Sequence, residues 1–124
     1  MTMHASYSWL EGRPLRTYTR ELGKKPFEYI SVSVKANGIW HFSINGVNLV
    51  PLLYSNHWGI VTAAGCPFTG GGFGTLYQFV IGKRTLEELG IDLSDNKITI
   101  QYQDGQDEYA CHTGIEWWVQ LWYQ

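Results

Sequence analysis

The sequence predicts a mostly β fold, either a small antiparallel barrel-like sheet or a two-sheet sandwich, with one short helix near residues 85–90. Three observations predict it. Several runs alternate apolar and polar residues with the period of two that sends successive side chains to opposite sides of a strand. Turn signals, two Asn-Gly pairs among them, break the chain at strand-length intervals. The composition favours strands and tight turns, with 14 Gly, 8 Tyr and 6 Trp against 2 Met in 124 residues. A chain of this length is expected to form a single β-rich domain over 1–124. It can bury a core without help from a disulfide or a metal.

In chain order, residues 5–20 read as a hairpin, with Tyr7 and Trp9 before Glu11-Gly12-Arg13-Pro14 and Leu15 to Tyr18 after it. Residues 23–27 connect to the clearest signal, 29–45. There Ile30, Val32 and Val34 share one face of a strand, and Ala36-Asn37-Gly38 reads as a hairpin turn because both Asn and Gly tolerate positive φ. The return strand sets Trp40, Phe42 and Ile44 on one face and His41, Ser43 and Asn45 on the other. A second pair, Asn45-Gly46, turns into Val47–Tyr54, where Pro51 cannot donate to a ladder and makes the segment an edge strand or breaks it.

Gly59–Ala64 reads as a short apolar strand and Thr75–Ile81 as a buried strand in preference to a short helix, on either side of a glycine-rich loop, Gly65–Gly74. Thr85 to Gly90 is the helix signal, with Thr85 as cap, Glu88 three residues on and Gly90 at the C′ position. Asp92–Asn96 turns the chain. Lys97–Gln103 places Ile98, Ile100 and Tyr102 on one face, Asp104-Gly105 turns again, and Asp107–His112 and Ile115–Tyr123 read as the last strands. In the last of these, Ile115, Trp117, Val119, Leu121 and Tyr123 form an ordinary core face. The opposite face carries Trp118 and Trp122 among Glu116, Gln120 and Gln124, which a plain solvent face does not need.

The net charge of −2 and a pI near 6.0 give no general attraction to nucleic acid or to an anionic membrane. The charge is uneven, with Arg13, Arg16, Arg20, Lys24 and Lys25 near the start and most of the acids between 87 and 116. No run of 18 apolar residues is present, so no membrane-spanning helix is expected. The opening residues lack a basic segment followed by an apolar one, so a cytoplasmic protein with Cys66 and Cys111 as reduced thiols is expected.

Several chemistries find little footing. The loop around Gly71 lacks the Lys-Ser/Thr of a Walker-type phosphate loop and the spacing of a dinucleotide fingerprint. A metal site would need His4, His41, His57, Cys66, Cys111 and His112 to converge without any ligand-pair spacing, and no cofactor is expected. The acids Glu87, Glu88, Asp104, Asp107 and Glu108 lie in polar turn or helix contexts rather than as a glycosidase pair. His57-Trp58-Gly59-Ile60 and Ala110-Cys111-His112 resemble, over those short stretches alone, permuted papain-like cysteine hydrolases. The resemblance implies Cys111 or Cys66 as nucleophile with His57 or His112 as base. Against it, no helix start lowers the thiol pKa, and Asp107 and Glu108 disfavour a thiolate at Cys111.

The aromatic set is the strongest functional signal, because Trp and Tyr combine large contact area with a polar handle. The reading is a small non-enzymatic binding protein of the inhibitor or sequestering kind. It would capture a protein partner or a planar small ligand with Trp118 and Trp122 and with the loop around Phe68, Gly71 and Phe73, flanked by His57 and Trp58. Self-assembly through the Trp face, as a homodimer or a subunit of a larger oligomer, is the third alternative.

Overall fold

A computed structural model of the chain describes residues 1–8, 14–36, 38–55, 57–60, 75–105 and 114–124, with side chains for all of these except 7, 8, 57–60 and 75. Among the described residues the elements are β1 (Thr2–Ser8), β2 (Arg16–Glu21), β3 (Phe27–Ala36), β4 (Ile39–Ile44), β5 (Val47–Asn48), α1 (Val50–Ser55), β6 (His57–Ile60), β7 (Thr75–Gly82), α2 (Lys83–Leu89), β8 (Lys97–Asp104) and β9 (Gly114–Tyr123). They build two antiparallel sheets, one in the order β1-β9-β3-β7-β6 and one in the order β2-β8-β4-β5. The fold is thus the sandwich of the two expected architectures, not a closed barrel.

The alternating runs supply its core. Ile30, Val32 and Val34 of β3 and Ile115, Trp117, Val119 and Leu121 of β9 point inward at the centre of the five-stranded sheet. Phe42, Ile44, Ile98, Ile100 and Tyr102 meet them from the other sheet. Trp117 ties the layers together. Its ring, fully buried, lies edge-on to Tyr18 at 5.2 Å, Tyr102 at 5.4 Å and Phe42 at 6.1 Å, one from each of β2, β8 and β4. Such edge-to-face contacts add to the area each ring buries.

Two local hairpin expectations, over 5–20 and 29–45, give way to long-range pairing. β1 and β2 do not pair with each other; β1 runs along β9 and β2 along β8. β3 and β4 also lie in different sheets, so the chain crosses between layers at Ala36–Ile39 instead of turning back. β8 and β9 also lie in different sheets. The reason is the second layer. A sheet with one apolar face needs another to bury it, and a β3–β4 hairpin would leave Val34 and Phe42 on one sheet with nothing opposite. At the crossing, the Gly105 amide donates to the Gly38 carbonyl at 2.9 Å. A Cβ on Gly105 would stand 2.7 Å from both the Gly38 carbonyl carbon and the Ile39 nitrogen, so the backbones approach as only glycine allows. A register shift between Ile39 and His41 turns Trp40 outward to 56% exposure, away from the core face the alternation predicts for it.

The Asn45-Gly46 turn is a hairpin. Both residues take positive φ, 48° and 84°, and Ile44 pairs with Val47. The strand after it is short because Asn48 Oδ1 accepts the Val50 amide at 3.1 Å and starts α1. Pro51 sits in the first helical turn, where its missing N–H costs nothing. Tyr54 then reaches back from α1, its hydroxyl accepting from the Ile39 amide at 2.9 Å and donating to the Ile39 carbonyl at 3.2 Å. α2 matches the expected helix and ends on Gly90 in the left-handed conformation. Its N-cap is Gly82 without a side-chain bond, not Thr85, which lies inside the helix. In the turn before β8 the Ser94 hydroxyl and amide bond to Asp92 and hold its carboxyl below the usual carboxylate range. The expected turn residue Asn37, the loop 65–74 and the expected strand Asp107–His112 lie outside the described residues.

Candidate functional site

The outward face of the five-stranded sheet is set by the residues that alternate with its core. Registers align them into cross-strand rows. His4, Trp118, Ser33 and Gln78 form one row, and Thr2, Gln120, Ser31 and Val80 the next. Trp122 lies beside Tyr29 at one end; Ser6, Glu116, Lys35 and Leu76 close the other. Among the described residues no second layer covers this face. Thr2, His4, Ser6, Gln78, Val80 and Trp122 are exposed, Val80 at 60% and Trp122 at 44%. The N-terminal segment does not fold over it but widens it as edge strand β1.

The aromatic rings are held from the side. Trp118 stacks on His4 with centroids 5.1 Å apart and planes 18° from parallel. Trp122 stacks on Tyr29 at 5.8 Å and 23°. A chain of neutral hydrogen bonds runs beneath them. The Trp122 indole N–H donates to Ser31 Oγ at 3.0 Å, the Ser31 hydroxyl donates to Gln120 Oε1 at 3.4 Å, and Gln120 Nε2 donates to Thr2 Oγ1 at 3.1 Å. The charges gather at one end and offset one another. His4 Nε2 donates to Glu116 Oε2 at 2.9 Å, and Lys35 Nζ lies 3.9 Å from Glu116 Oε1. Among the described residues the face therefore offers π surface, hydroxyls and amides with no net formal charge.

Trp118 and Trp122 stand where the alternation of β9 puts them, on the face opposite Trp117. Phe68, Gly71 and Phe73, with Cys66, Cys111 and His112, lie outside the described residues, and so do the side chains of His57 and Trp58. The backbone of His57 and Trp58 belongs to β6, the edge strand, where His57 pairs with Tyr77 and Ile60 with Thr75. The strands flanking the glycine-rich segment therefore point its roots to the Ala36–Ile115 end of the sheet, whereas Trp122 and Tyr29 stand at the Gly82 end. Along β7 those ends are about 23 Å apart at roughly 3.3 Å per residue. Trp118, level with Gln78, is the aromatic nearer the roots of the loop.

Sequence reasoning missed His4, Tyr29, Ser31 and Thr2 as companions of the two Trp. The alternation of Tyr29, Ser31, Ser33 and Lys35 with Ile30, Val32 and Val34 was a visible signal of an outer face, but not of the strand beside it. Elsewhere the described surface has open hollows, such as the one lined by Lys24, Lys25, Phe27, Lys83 and Leu93. Among the described residues no group of three or more His, Cys, Asp or Glu is placed to hold a metal ion, and no helix is long and apolar enough to cross a membrane. Comparison with protein-family models, curated proteins and solved structures finds no match to this chain.

Proposed function

We propose that this chain is a non-enzymatic binding protein of the inhibitor or sequestering kind, working in the cytoplasm, that captures a partner or ligand on the outer face of its five-stranded sheet. The observation that carries the reading is the laterally braced pair of a half-buried Trp118 and an exposed Trp122 on a face that its own fold has no need to make aromatic. Rings fixed by neighbours lose little entropy when they are covered, which is what makes aromatic side chains effective anchors. The glycine-rich segment joins the reading as a second contact; the strands that flank it in the chain, β6 and β7, pair Ile60 with Thr75 and Thr75 with Ala36.

Three variants test it. Trp117→Ala opens the core and is expected to cost about 3–5 kcal/mol. Trp118→Ala and Trp122→Ala are each expected to cost less than that in stability, yet to weaken capture or self-association by about 2 kcal/mol or more. Thermal melts run beside sedimentation and pull-down of the same proteins separate the two effects. Equal loss of stability in all three variants would mean that the outer face is structural.

A further inference from the structure

Resting on the reading of this face as a binding surface, we infer that its ligand is an extended, uncharged carbohydrate chain. The face brings together two kinds of group that such a ligand requires. One is aromatic surface, whose electron-rich ring faces attract the polarised C–H groups lining one side of a pyranose ring. The other is a set of short neutral donors and acceptors. The Thr2 hydroxyl, which accepts from Gln120, keeps a proton to donate. The Gln120 amide keeps a second N–H, and Gln78 is exposed in the adjoining row. The Ser31–Gln120–Thr2 relay fixes these groups before any ligand arrives, which removes much of the ordering cost of binding a flexible polyol.

Shape and charge narrow the choice. Ser31 and Ser33 form a low line along β3, with Trp118 and Gln120 beside them on β9 and Gln78 and Val80 on β7. Trp118 and Trp122 are four residues apart on one strand, about 13 Å at roughly 3.3 Å per residue, so together they suit a run of linked sugars rather than one. The charged groups pair among themselves at one end, through Glu116 with His4 and Lys35, and leave the aromatic stretch neutral. That disfavours nucleic acid and anionic glycans, which need a net positive surface. A protein partner or a second copy fits less well. A stable interface buries about 800 Å² per side around an apolar centre. Among the described residues, only Val80 and Trp122 are strongly exposed large hydrophobics on this face.

The test presents the full chain to an array of neutral oligosaccharides, covering α- and β-linked glucose, mannose, galactose and N-acetylglucosamine oligomers, in low and in high salt. The best-bound oligomer is then titrated against tryptophan fluorescence. The expected result is binding that strengthens with oligomer length and does not change with salt. At least a tenfold loss is expected in Trp122→Ala and Trp118→Ala, and none in Trp40→Ala, an exposed Trp on the other sheet. Should either Trp variant fail to fold, Ser31→Ala removes only a hydroxyl and is expected to weaken binding severalfold. No binding anywhere on the array, or binding that Trp40→Ala weakens equally, overturns the carbohydrate inference. If in that case the outer Trp variants abolish self-association or capture of a protein, the face still binds and only its ligand was wrong. If they change neither, the binding reading falls as well.

Discussion

The dipeptide Asn-Gly stands on both sides of β4, as Asn37-Gly38 before it and Asn45-Gly46 after it. After β4 it closes a two-residue hairpin with positive φ at both positions. Before β4 the chain passes between sheets, and Gly38 is not among the residues with positive φ. The difference lies in what each dipeptide joins. Asn45-Gly46 joins β4 to a two-residue strand that has no other sheet to serve, and the Asn45 side chain is engaged on its own account. Its Nδ2 donates to the carbonyls of Asp92 at 2.6 Å and Lys97 at 3.1 Å, and its Oδ1 accepts the Thr99 amide at 2.7 Å. Asn37-Gly38 joins two long apolar strands, each of which gains more by opposing the other across the core than by pairing edge to edge. A local turn signal thus holds only where the flanking strands have no stronger long-range use.

Four substitutions grade that contrast. Gly105→Ala is expected to be the most damaging, about 3 kcal/mol, because the new Cβ meets backbone atoms of Gly38 and Ile39 that cannot swing away. A urea unfolding midpoint close to that of the parent protein would show that the crossing is not built on this contact. Asn45→Ala follows at about 2 kcal/mol, since it removes three hydrogen bonds and leaves the Thr99 amide in need of another acceptor. Gly46→Ala is expected to cost about 1 kcal/mol for a Cβ held at left-handed φ, with open space around it. Gly38→Ala comes last, within about 0.5 kcal/mol, because its Cβ would meet Gly105 at an ordinary 3.6 Å. Calorimetric melts of the two glycine variants side by side decide the matter. Equal losses at Gly38 and Gly46 would restore a hairpin at both places.

The candidate site was legible to the same depth as the fold. The two faces of β9 could be read from ten residues, because period two is a property of the extended backbone and holds whatever the neighbours are. The buried face of β8 and the Gly90 stop of α2 are also local matters and came out as expected. The turning of Trp40 to solvent was not legible, because it depends on a register shift against β8. The Asn48 side chain that accepts the Val50 amide just ahead of α1 was present in the sequence, in front of a Pro acceptable in a first helical turn, but was overshadowed by the strand signal before it.

By itself, then, the sequence determined which side chains of β3, β8 and β9 face inward and which face out, since period two belongs to the extended backbone itself. Only the tertiary structure decided that β3 lies beside β9, so that Tyr29 stacks on Trp122 and Ser31 accepts its indole N–H, and that β1 brings His4 against Trp118. Those neighbours are distant in the chain. Any alternating strand can hydrogen-bond to any other, and the choice among them falls to the burial of two apolar faces against each other, with Trp117 between them.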